Sequence, residues 1–427
     1  MTDALPGSPE PPEAAKRLPS LSSLVRVTEM DTRLLGMLGA LLVIWVGFHI
    51  WSGGTFLTPR NLWNLSVQTA AVAIMATGMV LVIVSRNIDL SVGSMLAVIG
   101  MAMAMLQAEI LPRWFGFDHP MTWIIALVAG LVMGALLGAF QGVIVAYVGV
   151  PSFIVTLGGL LVWRGLAWAM ASGRTIAPMD STFQLLGGGS RGNIGGFWSW
   201  IVGVIVCIGI AALLSNGRRQ RRKFGLGLRP LWLEISLGAV GCGVVLGTVA
   251  YLNRYLLPVR VAAERGGGNI PFGLANPVLL TVAVTLLMTF IATRIRFGRY
   301  VFAIGGNPEA AELAGIKTRA TIVKTFALMG ILVAISAAVV VARLNAAVSG
   351  LGMGTELYVI AAAVIGGTSL QGGIGTIQGA VLGALVMQSL QSGMVLVGVD
   401  APLQDVAAGV VLVLAVAIDS FFRRRAT

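Results

Sequence analysis

Apolar runs long enough to cross a membrane, or nearly so, follow one another along almost the whole of this 427-residue chain. They fall at about 34–52, 63–84, 91–111, 122–148, 152–171, 197–215, 231–250, 277–293, 321–342, 357–370, 376–397 and 403–421. About 20 apolar residues wound into a helix cross the roughly 30 Å hydrocarbon layer, and the helix satisfies its own backbone where no water can. The expected fold is an all-α polytopic membrane protein of about 12 transmembrane helices. A mean hydropathy of +0.90, with 57% apolar and 11% charged residues, is more apolar surface than a soluble core could absorb.

The formal charge of +12 would suggest a nucleic-acid partner in a soluble protein. Here the basic residues sit in short clusters between apolar runs, where topology and anionic lipid headgroups account for them, and no nucleic acid is implied. An even number of spans, with Arg423-Arg424-Arg425 after the last, puts both termini in the cytoplasm. The hexapeptide Arg218-Arg219-Gln220-Arg221-Arg222-Lys223 falls on the same side by alternation. Residues 1–32, rich in Pro, Ser and charge, lack the pattern of a cleaved signal and read as a disordered cytoplasmic tail. Residues 33–422 form the transmembrane domain and 423–427 a basic cytoplasmic tail. Two external loops result, 172–196 and 252–276, each with a run of three glycines, and either could contact a delivery protein. Cys207 and Cys242 lie inside expected spans and imply no disulfide framework.

Arg294 to Lys324 is the one long polar interruption. Within it Asn307-Pro308-Glu309-Ala310-Ala311-Glu312-Leu313-Ala314-Gly315 reads as a punctuated two-turn helix. Asn307 is the N-cap, Pro308 takes the first helical position, Glu309 and Glu312 complement the dipole, and Gly315 is the stop. A helix this short must pack on something. Ala310, Ala311 and Ala314 offer a face of small side chains suited to docking in a groove.

Two further breaks carry polar residues. Asn87-Ile88-Asp89-Leu90-Ser91-Val92-Gly93-Ser94 precedes the third span, and Asp89 with Ser91 can cap that helix. Capping alone accounts for Asp89; a place in a transport path is the alternative. Gly366-Gly367-Thr368-Ser369-Leu370-Gln371-Gly372-Gly373-Ile374-Gly375-Thr376 is too rich in glycine for a regular helix. It reads either as irregular backbone at membrane depth, tolerated where it is buried or lines a cavity, or as a tight cytoplasmic turn. Leu137-Gly138-Ala139 with Val148-Gly149-Val150 faintly echoes Leu382-Gly383-Ala384 with Val397-Gly398-Val399, a hint of an internal repeat.

None of the four lysines follows Gly and precedes Ser or Thr, so no phosphate-cradling loop is present and ATP hydrolysis would fall to another chain. No metal-ligand cluster or nucleophile–base pair can be assembled, so neither an enzyme nor a bound cofactor is expected. All seventeen acids fall at span ends, in loops or in tails, which argues against a proton-coupled transporter. Uncharged groups able to bond a sugar hydroxyl are Gln68, Thr69, Gln141, Thr156, Thr368, Ser369, Gln388 and Gln391, with Asp89, Ser91 and Gln371 beside them as path candidates. Arg164 and Glu356 are expected at the mouths.

Glu309-Ala310-Ala311 followed by Gly315 resembles the "EAA" coupling loop of ABC importer permeases, and Phe297 to Asn307 resembles its form in the ribose/xylose/arabinose branch. Ile88 to Ser94 and Gly366 to Gly375 are similar to the "IDLSVGS" and "GGTSLxGGxG" segments of the same branch. The Ile-x-Leu-Pro run of the general pattern is absent. The resemblance covers residues 60–170 and 277–421, and the pair of runs near 197–250 looks like an insertion on a core of about ten spans, as in xylose-type permeases. It implies an inner-membrane permease for a monosaccharide, xylose or a related pentose, with 294–320 as the coupling loop and Asn307 to Glu312 and Gly315 engaging a cytoplasmic ATPase. It also implies a periplasmic sugar-binding protein and a second copy of the chain. The alternative is a gradient-driven transporter or facilitator of small polar solutes.

Overall fold

A computed structural model describes residues 32–424 apart from 227, 229 and 265. The expected tail falls outside the described residues except for Thr32, and residues 425–427 of the basic tail fall outside them too. Every regular element among the described residues is a helix, and β-pairing is confined to isolated bridges. The longer helices are α1 (Thr32–Trp51), α2 (Pro59–Val84), α3 (Val92–Met105), α4 (Thr122–Val143), α5 (Ser152–Ala171), α6 (Gly195–Lys223), α7 (Leu231–Leu252) and α8 (Asn276–Arg294). They continue with α9 (Arg296–Gly306), α10 (Pro308–Leu313), α11 (Thr318–Leu344), α12 (Thr355–Ile365), α13 (Ile377–Leu396) and α14 (Ala401–Arg424).

Among the described residues, ten helices are long and apolar enough to cross a membrane, against the expected twelve. The run at 357–370 became an eleven-residue helix, α12, because Gly366 and Gly367 end it. The last run forms the helix Ala401–Arg424.

The bundle is built around α2. Thr58 Oγ1 accepts from the Asn61 amide and Pro59 occupies the first turn, so the helix is well started, and 94% of its apolar window is buried. A helix apolar all round has no solvent face to keep and can sit inside a bundle. α11 crosses it antiparallel: Ser336 Oγ donates to Ala71 O (3.0 Å), while Gly78 lies against Met329 and Leu332. α11 also packs on α4, where Gly134 and Gly330 meet backbone to backbone and Gly138 meets the Phe326 carbonyl. In a membrane, where burial of apolar surface drives little between helices, such small-residue contacts set the approach.

α3, whose helical path runs on through a π-turn to Phe115, and the shorter α12 both begin inside the bundle. Each follows a long helix and a non-helical break: α2, residues 85–91, then α3; α11, residues 345–354, then α12. α2 and α11 run oppositely, and the Leu137-Gly138-Ala139 and Leu382-Gly383-Ala384 echo falls on α4 and α13. Ser91 lies against Gly159 of α5, roughly 10 Å of helix rise from Ser152 and 18 Å from Ala171, so the break lies within the bundle's depth.

The hairpin α6–α7 is peripheral and joins the rest at one end. There Trp63 Nε1 donates to Gly273 O (2.9 Å), and Trp63, Leu252, Leu257 and Phe272 form a small cluster. The glycine-containing segments 172–196 and 252–276 are held by bridges between Asn193 and Ala275 and between Gly195 and Gly273, and Ile176 pairs with Ala347. These lie at the end of the bundle opposite α10.

Candidate functional site

α10 forms as its punctuation dictates. Asn307 Oδ1 accepts from the Ala310 amide (3.0 Å), and Gly315 adopts φ 81° while its amide donates to Glu312 O (2.9 Å). The face it presents differs from the expected one. Ala311 is buried (5% exposed) and faces the bundle, whereas Leu313 is 90% exposed at the tip. The outward surface is therefore Glu309, Ala310, Glu312, Leu313 and Ala314.

α9 ties this helix to the core. Gly305 lies against the Val84 carbonyl and the Gly373 amide, where no side chain fits. Arg86, just past the end of α2, donates from Nε to Gly305 O and from Nη2 to Gly306 O (both 2.8 Å). The segment 366–376 is the third member of this junction: Gly373 N donates to Val84 O (3.0 Å), and Ser369 N to Ile374 O (2.9 Å) closes a tight turn. Thr368 and Ser369 are buried in that turn and Gln371 is exposed beside it. The segment is a turn packed at the α10 end.

Asp89, Ser91 and Gln141 form a buried network. Ser91 Oγ donates to Asp89 Oδ1 (2.6 Å) and accepts from Gln141 Nε2 (3.0 Å), and Asp89 Oδ1 also accepts from the Ser91 amide (2.9 Å). The Ser91 side chain makes no cap bond to α3, contrary to the capping expected of it. Asp89 lies in the break between α2 and α3, as expected of the acids, yet is only 1% exposed. One further expectation is corrected here. Arg164 and Glu356 are not at the mouths: Arg164 Nη1 donates to Ser349 O (3.0 Å) and Leu351 O (2.7 Å), holding the break before α12, and Glu356 packs against Gly93.

A cavity of about 570 Å³ lies between α2, α3, α11 and α13. It opens at the end opposite α10, where Asn61, Leu344 and Leu396 mark the helix ends, and closes on Val72, Met75 and Leu96. Of the expected path residues, Gln68, Gln388 and Gln391 line it; Thr69, Asp89, Ser91, Gln141, Thr156, Thr368, Ser369 and Gln371 do not. Sequence reasoning missed Asn61, Asn64, Arg343, Thr355 and Ser392. The spacing of Asn61, Asn64 and Gln68, three and then four residues, puts them on one face of a helix and was the available signal.

By sequence, residues 61–416 match the family described as branched-chain amino acid transport system / permease component. The chain is similar to the xylose transport system permease protein XylH of Escherichia coli (strain K12), 37% identical over 97% of this chain and 98% of that one. The XylH of Haemophilus influenzae is 38% identical over 91% of this chain and 96% of its own. The ribose import permease protein RbsC of Escherichia coli (strain K12) is 32% identical over 86% and 87%. No solved structure matches.

Proposed function

We propose, since the chain belongs to the branched-chain amino acid transport system / permease component family, that it is the membrane-spanning permease subunit of an ATP-driven importer whose cargo is xylose. The observation that carries this is similarity to xylose permeases along nearly the whole chain, inserted hairpin included. The partners are a cytoplasmic ATPase, a periplasmic sugar-binding protein and a second copy of the chain, and the setting is the inner membrane with both termini inside. ATP is bound and hydrolysed on the partner.

α10 is the element that engages the ATPase. Its displacement passes through α9 to Arg86 at the end of α2 and to the 366–376 turn at the start of α13, two of the helices that line the cavity. Thr368, Ser369 and Gln371 belong to this transmission, and Asp89, Ser91 and Gln141 fix the start of α3. Similarity to xylose and ribose permeases favours this reading over a gradient-driven transporter. Co-purification tests the assignment. The chain should retain an ATPase subunit in detergent, and sugar-loaded binding protein should stimulate its ATP hydrolysis; a chain that retains no ATPase would count against it.

A further inference from the structure

Most of the cavity's polar side chains sit in two sets, on α2 and α13, with Arg343 of α11 and Thr355 of α12 beside them. On α2, Asn61, Asn64 and Gln68 stack along one stripe, separated by roughly 4.5 and 6 Å of helix rise. On α13, Gln388, Gln391 and Ser392 occupy the corresponding spacing of three and four residues. Gln388 Nε2 donates to Gln391 Oε1 at 3.0 Å. That bond leaves the Gln388 carbonyl oxygen and the Gln391 amide hydrogens unused. An acceptor and a donor one helical turn apart complement two neighbouring hydroxyls, one giving a proton and the other receiving one.

The charge on the walls narrows the ligand further. Arg343 is the charged residue of the lining, and no carboxylate is among the lining residues. A cationic solute finds no counter-ion there. An apolar one would strip water from the amides and leave them unpaired, which costs more than a hydrogen bond returns. Past Gln68 the α2 stripe becomes apolar, with Ala71, Val72 and Met75, and Leu96 completes the floor. The volume of about 570 Å³ lies within the roughly 300–1,000 Å³ of small-molecule sites.

We propose that this cavity is a sugar-binding vestibule belonging to the permease itself. The Asn61–Asn64–Gln68 ladder and the Gln388–Gln391 pair bond the hydroxyls of a neutral monosaccharide, and the apolar floor stops it short of α10. Neutral amides bind weakly enough to release what they hold, as a conducting site must. The permease then sorts its cargo a second time, after the binding protein. This rests on the reading of the chain as a sugar permease.

Two measurements on the complete importer in proteoliposomes test it. In the first, Gln388→Leu with Gln391→Leu lowers the xylose moved per ATP hydrolysed by about tenfold, and Gln388→Asn alone loses less. In the second, Asn64→Cys in a Cys207→Ser, Cys242→Ser background reacts with a membrane-impermeant thiol reagent, and xylose slows the reaction in a saturable way while an equal concentration of choline does not. Wild-type importer that moves no sugar would sink the functional reading as a whole. Wild-type uptake with unaltered transport by the leucine pair, or labelling that xylose leaves unchanged, would overturn the vestibule alone. Should the leucine pair fail to insert, the labelling result decides.

Discussion

Gly93, in the first turn of α3, packs directly on Glu356, in the first turn of α12, so the two helices touch where each begins. A Cβ at Gly93 would collide with the Glu356 carboxylate and with the Gly352 carbonyl. The carboxylate could swing away; the backbone carbonyl cannot without moving the break before α12. Gly93→Ala is therefore expected to destabilise the bundle by about 1–3 kcal/mol, the usual range for overpacking. Thermal unfolding in detergent should show it as a lowered midpoint. An unchanged midpoint would mean that the two helices do not meet as described.

Leu313 and Ala311 separate docking from folding. Leu313 is exposed at the tip of α10, so Leu313→Glu should leave thermal stability unchanged while reducing the ATPase retained on purification. Ala311→Leu forces a larger side chain beneath the helix and should lower stability as well. Measuring both quantities on both variants would contradict this if the two behaved alike.

Arg86 anchors the α9–α10 unit through two carbonyls. Arg86→Met keeps much of the stem and removes the donors. A hydrogen bond from a charged group is worth roughly 1.5–3 kcal/mol when buried and less here, where one of the two bonds is exposed. The expected result is less sugar moved per ATP with the ATPase still bound. Equal coupling ratios in variant and wild type would remove Arg86 from the transmission.

The capped helix was legible because a cap is local: Asn307, Pro308 and Gly315 set a start and a stop whatever lies around them. Which face of α10 turns inward was not, since a six-residue helix of small side chains has no strong pattern and α9 decides it. The half-helix α12 looked like a span because its apolar run continues into Leu370 and Ile374, which belong to the turn. Gln68 and Gln388 were singled out for their chemistry alone. Asn61 and Asn64 were passed over because they precede the apolar run at 63–84 or lie near its start, although α2 begins at Pro59. That Asp89 is deep in the bundle follows from tertiary packing of α3 against α4 and α5, which no local pattern records.

The central claim is that this chain moves a neutral sugar with energy from ATP hydrolysed on another chain. The most direct measurement is uptake of radiolabelled xylose into vesicles holding the chain, with and without its ATPase and binding protein, while ATP is varied and the proton gradient collapsed. The account predicts uptake that requires all three components and ATP and that survives the uncoupler. Uptake by this chain alone, abolished by the uncoupler, would contradict it.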